Sequence, residues 1–176
     1  MDLAAELDSK TMASVTTSPT WVFAYGSNMA LPDLEGWFER AGQPWGRLLE
    51  VQVAELPGFR LVWNFYSETR AGGAANVERH VEHTLHGLAL LVDDVLFAGL
   101  DRKEGYPHLY DRTKNRIALA RGESVEAWVY EVRPENTRAE YVAPTRHYRS
   151  LLVGGARTHG LPSVYIAELE RVITSD

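Results

Sequence analysis

Glu104 is the first residue whose surroundings suggest chemistry. It lies in Leu100-Asp101-Arg102-Lys103-Glu104-Gly105-Tyr106-Pro107-His108-Leu109-Tyr110, where a carboxylate sits beside a glycine and among rings. A carboxyl group in an aromatic, partly dry setting is held closer to neutrality than one in water, and can then take a proton and return it. A solvated acid at a helix end is the ordinary alternative. The second feature is Tyr25-Gly26-Ser27-Asn28-Met29. Gly26 lets a ligand approach the backbone, and Ser27 and Asn28 can hold a turn with their own side chains. Successive N–H groups there, close to a helix start, suit a carboxylate or a developing oxyanion. The ordinary alternative is a plain turn after an edge strand. With one glycine and no Gly-Lys-Ser/Thr ending, the turn is not a phosphate-binding P-loop.

Other candidates are weaker. His80, His83 and His86 recur every three residues, but the first two fall in an expected loop and His86 in an expected strand. Such a set does not share one face, and no carboxylate completes it, so no metal site is expected. His108 lies near Glu104 and could serve as a base or meet a leaving group, although a loop histidine is the simpler reading. Ser27 lacks the Gly-x-Ser-x-Gly elbow of a hydrolase nucleophile. The chain has no cysteine, which removes disulfides, thiolate zinc sites and cysteine nucleophiles at once.

Elements must bring the two features together. Residues 1–20, acidic and then Ser/Thr-rich, are expected to form a flexible N-terminal tail, leaving 21–176 as one domain. Trp21 to Tyr25 reads as a buried strand running into the turn, and Leu34, Trp37 and Phe38 mark one face of a helix that ends at Gly42. Alternation at Leu49, Val51 and Val53, then a turn at Leu56-Pro57-Gly58 and a strand from Phe59 to Phe65, predicts a pair of antiparallel strands. Tyr66 to Asn76 reads as a loop and Thr84 to Val92 as a strand. Asp93-Asp94 is placed to cap a helix through Leu96 and Leu100, so that Glu104 lies at its exit. Strands over Tyr110 to Ala120 and Ser124 to Val132 flank the turn at Arg121-Gly122. Two closing helices carry Tyr148, Leu151, Leu152 and Gly155, then Tyr165, Leu169, Val172 and Ile173. Trp37, Phe38, Trp63 and Phe65 are read as core. The pattern is α+β rather than an alternating βαβ fold.

Bulk properties narrow the partners. The 176 residues suit one domain, and the formal net charge of −6, with no basic run, argues against nucleic acid. No apolar stretch approaches the roughly 20 residues of a membrane helix and no leader pattern opens the chain, so no membrane partner is expected and a cytoplasmic location is.

Taken together, these pieces resemble the γ-glutamylcyclotransferase family in its broad sense, including AIG2-like proteins of plants and the enzyme of butirosin synthesis. The likeness covers nearly everything after Thr20. Phe23-Ala24-Tyr25-Gly26-Ser27-Asn28-Met29 looks like the glutamyl-binding loop, and Leu100-Asp101-x-x-Glu104-Gly105 followed by Tyr110 looks like the catalytic segment. Gly73-Ala74-Ala75-Asn76, His86-Gly87 and Tyr148…Gly155-Ala156-Arg157-x-His159-Gly160-Leu161-Pro162 extend the match. The resemblance implies a mixed, mostly antiparallel β-barrel-like sheet flanked by helices, with loop and glutamate meeting in one cavity. It implies Glu104 as the acid/base, the backbone of Tyr25, Gly26, Ser27 and Asn28 as the glutamyl anchor, and Tyr110 and Tyr148 as polar rims. It implies a small-molecule γ-glutamyl substrate closed into 5-oxoproline by its own α-amine, with no cofactor and no metal. A non-catalytic binder using the same cavity and an amide hydrolase remain as alternatives. The amine half of the substrate and the oligomeric state, a homodimer included, stay open.

Overall fold

The structure is a computed structural model that describes residues 18–176. Most of the expected tail therefore lies outside the described residues. Five strands close into a barrel in the order β1-β3-β2-β4-β5. They are β1 (Thr20–Ala24), β2 (Leu48–Ser67), β3 (Gly72–Val92), β4 (Tyr110–Leu119) and β5 (Ser124–Val132). All neighbours are antiparallel except β1 and β5, where Val22 faces Trp128 in a parallel register. Four helices flank the barrel: α1 (Leu31–Arg40), α2 (Asp94–Glu104), α3 (Arg146–Thr158) and α4 (Ser163–Glu170). The expected α+β, barrel-like class is what is found. No helix of the described residues is long and apolar enough to cross a membrane.

The core explains the closure. Val22, Phe23 and Ala24 of β1, Leu85, Leu88, Ala89 and Leu90 of β3, Ile117 and Leu119 of β4, and Ala127 and Val129 of β5 are buried together. Side chains that alternate inward along each strand fill a small barrel completely.

Several expectations need correction. Leu56-Pro57-Gly58 is not a turn between two strands but a bulge inside one long strand, with the register shifting between Pro57 and Phe59. Gly58, at a φ of 78°, takes up the irregularity while β2 pairs with β3 on both sides of it. Leu49 is exposed and Val51 and Val53 are half-buried, because the interior is reached by Ala54 and Leu56. Tyr66 to Asn76 is not a loop throughout, since β3 already begins at Gly72 and its first six residues are buried. The glycines serve close approach rather than chain reversal: a Cβ at Gly73 would collide with the Val142 carbonyl, and the Gly73 N–H donates to the Ala143 carbonyl at 2.8 Å. His80 and His83 consequently lie within β3 rather than in a loop. At the chain's end, Val172 and Ile173 fall beyond α4, and Ile173 is exposed.

Helix α2 begins as its sequence suggests. Asp93 Oδ1 accepts from the Leu96 N–H at 2.9 Å, satisfying a donor that the first turn leaves without a partner. It ends at Gly105, whose φ of 66° is the left-handed conformation that terminates many helices. Glu104 is therefore the last helical residue before the chain turns away.

Candidate active site

The turn after β1 is a single 3-10 turn, Ser27–Met29, followed directly by α1. The Met29 and Ala30 N–H groups close it onto the carbonyls of Gly26 and Ser27 at 3.1 and 3.0 Å, which leaves the amides of Ser27 and Asn28 outside those bonds. Helix α3 lies hard against this turn, because Gly155 presents no side chain: a Cβ there would come within 2.7 Å of the Met29 carbonyl. Gly26 has the same use on the other side, with Tyr148 Oη and Ala75 Cβ each 3.3 Å from where its Cβ would stand.

Two links bring Glu104 to this turn. Asp101, one turn earlier on α2, accepts from the Tyr130 hydroxyl of β5 at 2.7 Å and from the Arg112 guanidinium of β4 at 2.8 Å. The guanidinium is itself held over the rings of Phe97, Tyr106 and Trp128. Arg112 thus fastens the helix to the barrel through charge and through ring faces. Glu104 is then directed inward, where its Oε1 accepts from Asn28 Nδ2 at 2.9 Å. These two residues are 76 positions apart in sequence. A carboxylate can only accept, so Asn28 must turn its amide NH2 toward it. Its Oδ1 then faces elsewhere, buried and without a hydrogen-bond partner among the described residues.

Three phenols wall the space around this pair. Tyr25 is buried, and its hydroxyl donates to the Tyr130 carbonyl at 2.6 Å. Tyr110 donates to the Ala75 carbonyl at 3.2 Å, while the Ala75 N–H donates to the Tyr148 hydroxyl at 3.2 Å. Burial, with the charge of Glu104 adding to it, pushes all three phenols above their usual range. Tyr110 and Tyr148, expected as polar rims, are 7% and 4% exposed, with their hydroxyls at the Ala75 backbone. Trp63 and Phe65, expected as plain core, back these rings edge-on: Trp63 against Tyr148, Phe65 against Tyr110.

The space has two parts that share Ser27, Glu104, Tyr110 and Tyr148. An inner recess of about 30 Å³ reaches Tyr25, Gly26, Asn28 and Ala75. An outer cavity of about 280 Å³ is walled by Phe65, Arg70, Arg102, Lys103 and Leu109 among others. Glu104, Tyr25, Gly26, Ser27, Asn28, Tyr110 and Tyr148 each line one or both of these spaces. His108 does not line either space, and among the described residues no cluster of three metal-ligating side chains occurs. A larger cavity of about 440 Å³, beside α4, is lined by His83 and His86 among others and by no residue of the Tyr25–Met29 or Leu100–Tyr110 segments.

Two residues at the site carried no sequence signal. Arg70 donates to Asp33 Oδ2 at 2.9 Å and to Ser27 Oγ at 3.4 Å, with its guanidinium above the Tyr148 ring. Lys103 brings its ammonium within 3.7 Å of Glu104 Oε1, and burial lowers its pKa. The setting of Glu104 is accordingly aromatic on some sides and cationic on another.

Residues 22–150 match the family model described as γ-glutamyl cyclotransferase, AIG2-like. A γ-glutamylcyclotransferase from Bos taurus is 25% identical over 159 residues, covering 88% of this chain and 79% of that protein. Among solved structures, a γ-glutamyl cyclotransferase superposes with a TM-score of 0.74 at 22% identity, over 90% of both chains. A crystal structure of an uncharacterised protein from Homo sapiens does so at 0.73 and 23% identity, over 91% of both. The structural likenesses show the fold, and the family match spans well over half the sequence: the chain belongs to the γ-glutamyl cyclotransferase, AIG2-like family.

Proposed function

We propose that the protein cleaves a γ-glutamyl amide by intramolecular attack, releasing 5-oxoproline and a free amine or amino acid. The observation that carries this reading is the direct hydrogen bond between Asn28 and Glu104, which fixes the expected anchor and the expected acid/base in one recess. The substrate's α-amine nitrogen attacks its own γ-carbonyl carbon. One C–N bond forms to close the five-membered ring, and the amide C–N bond breaks. The proton leaving the α-amine passes to Glu104 and from there to the departing nitrogen, so the carboxylate is regenerated. Because nucleophile and electrophile belong to one molecule, holding the glutamyl chain folded is worth an effective concentration on the order of 10⁵–10⁸ M. The step as written needs neither metal nor cofactor.

In this proposal the free amides of Ser27 and Asn28 face the glutamyl group, and the unpartnered Asn28 Oδ1 accepts an N–H of the α-amine beside Glu104. Tyr25, Tyr110 and Tyr148 stay protonated throughout the neutral range, so they act as hydrogen-bonding walls and not as bases. A cytoplasmic setting and a small soluble substrate complete the reading.

Incubation with a panel of γ-glutamyl amino acids and amines, with product identification, is expected to yield 5-oxoproline. Glu104→Gln should lower turnover by about 10²–10⁴-fold with the melting temperature nearly unchanged. Free glutamate as the product would make the protein a hydrolase. Saturable binding with no product would make it a binding module.

A further inference from the structure

The cavity of about 440 Å³ beside α4 shares no lining residue with the two spaces around Glu104. Leu61, Trp63, Leu85, Leu169 and Val172 give it apolar walls. Tyr165 is set among them, 7% exposed, and its hydroxyl is buried with no hydrogen-bond partner among the described residues. A buried tyrosine hydroxyl normally finds a partner, so one left over marks a place that another molecule can complete. His86 lies beside it, with ring centroids 5.2 Å apart, and its Nδ1 likewise makes no hydrogen bond there, Glu55 Oε1 standing 3.5 Å away. The mouth is acidic. Glu82 and Glu168 line it, exposed and without ion-pair partners among the described residues, whereas Arg60 is already held by Glu78. Burial and the charge of Glu168 push the Tyr165 phenol up, so it stays neutral and its oxygen remains able to accept.

We propose that this cavity is a second ligand site, which takes a small primary amine in its ammonium form on an apolar body, with Tyr165 Oη and Glu168 as the acceptors. An ammonium carries donors only, and what the cavity leaves unpaired is an accepting oxygen with negative charge near it. The ring faces of His86 and Trp63 add attraction for a cation, and the leucines cover the apolar part. A neutral alcohol satisfies Tyr165 but leaves the carboxylates unanswered, and an anion is repelled by them. A volume of this order suits one small molecule rather than a segment of another chain. The assignment does not depend on the cyclotransferase reading.

2-Phenylethylamine, 2-phenylethanol and 3-phenylpropanoate present one ring with a cationic, a neutral and an anionic end, which makes them the probes. Calorimetric titration of the full chain at neutral pH should show the amine bound about 10-fold or more tightly than the alcohol, as a charge-assisted hydrogen bond allows, and the acid most weakly. Tyr165→Phe removes one oxygen and should weaken the amine by about 10-fold. The same variant, without ligand, should melt no lower than the wild type, because the hydroxyl has no protein partner to lose. Glu168→Gln should weaken the amine by a similar factor and leave the alcohol unchanged. Glu104→Gln should leave amine binding intact, which separates this cavity from the candidate active site, where an amine would enter as a product. The assignment is overturned if amine and alcohol bind alike, if Tyr165→Phe keeps full affinity, or if Glu104→Gln abolishes binding. A lower melting temperature for unliganded Tyr165→Phe would overturn it too, since the hydroxyl would then be satisfied already, by ordered water.

Discussion

Asn28 has two polar ends, and only one of them has a partner among the described residues. Its amide nitrogen donates to Glu104, and its oxygen is buried without a hydrogen-bond partner among the described residues. A buried acceptor left unpaired costs roughly 1–3 kcal/mol, a cost that a bound donor removes. The sequence suggested a backbone role for this residue; the side chain adds a positioning one. Asn28→Ala frees Glu104 to take other rotamers and, in the proposed reaction, removes the acceptor for the α-amine. The expected result is a kcat lowered by about 10- to 100-fold, in keeping with the price of misplacing a catalytic group. Steady-state kinetics beside a thermal melt will check it, and a variant that lost stability but kept kcat would show the bond to be structural only.

Helix α2 acts as the arm that carries Glu104, and its two ends have separable consequences. At its start, Asp93 caps a free N–H far from the site, so Asp93→Ala should lower stability by about 1 kcal/mol and leave turnover alone. At its exit, Gly105 adopts a φ of 66°, and a Cβ there would come within 2.9 Å of the Leu109 side chain. Gly105→Ala should cost about 1–2 kcal/mol through the left-handed conformation, and it should also reduce kcat because Glu104 is the adjacent residue. Comparing the two variants by denaturant titration and by turnover separates loss of the helix from displacement of its last residue. Equal turnover in both would mean that the exit geometry of α2 does not govern Glu104. Between the two ends, the Asp101, Arg112 and Tyr130 contacts set how the helix is rotated against the barrel.

Across the whole molecule, three phenols are packed into one buried wall, and that has a consequence for alkaline stability. Burial raises the pKa of Tyr25, Tyr110 and Tyr148 above the usual value near 10, so the folded protein keeps these protons where the unfolded chain gives them up. Their contribution is fully present below about pH 10 and is lost as pH rises toward the folded values, at about 1.4 kcal/mol per pH unit for each group. Melting temperature followed against pH, together with phenolate absorbance, should show a fall in stability beginning near pH 10 and, beyond the phenolates of exposed tyrosines such as Tyr141, a further set that appears only with unfolding. Early titration of these tyrosines in the folded protein would contradict their burial.

The residues themselves announced the local features: the strand into Gly26, the cap at Asp93, the helix exit at Glu104 and the turn at Arg121-Gly122 all rest on neighbours in sequence. Their type and spacing were enough to single out both motifs and to carry the family resemblance. What depended on distant packing was not legible. Gly72 and Gly73 resembled a loop because glycine breaks isolated strands, yet here they admit the backbone at Val142 and Ala143. Leu56-Pro57-Gly58 resembled a turn because a bulge and a reversal use the same residues, and only pairing with β3 distinguishes them. Arg70 and Lys103 carried no signal, since nothing near them in sequence shows what the closed barrel and α2 place opposite. Local backbone preference and hydrophobic alternation were set by the sequence alone, whereas which side chains share a cavity was decided by tertiary closure, because that depends on contacts between residues far apart along the chain.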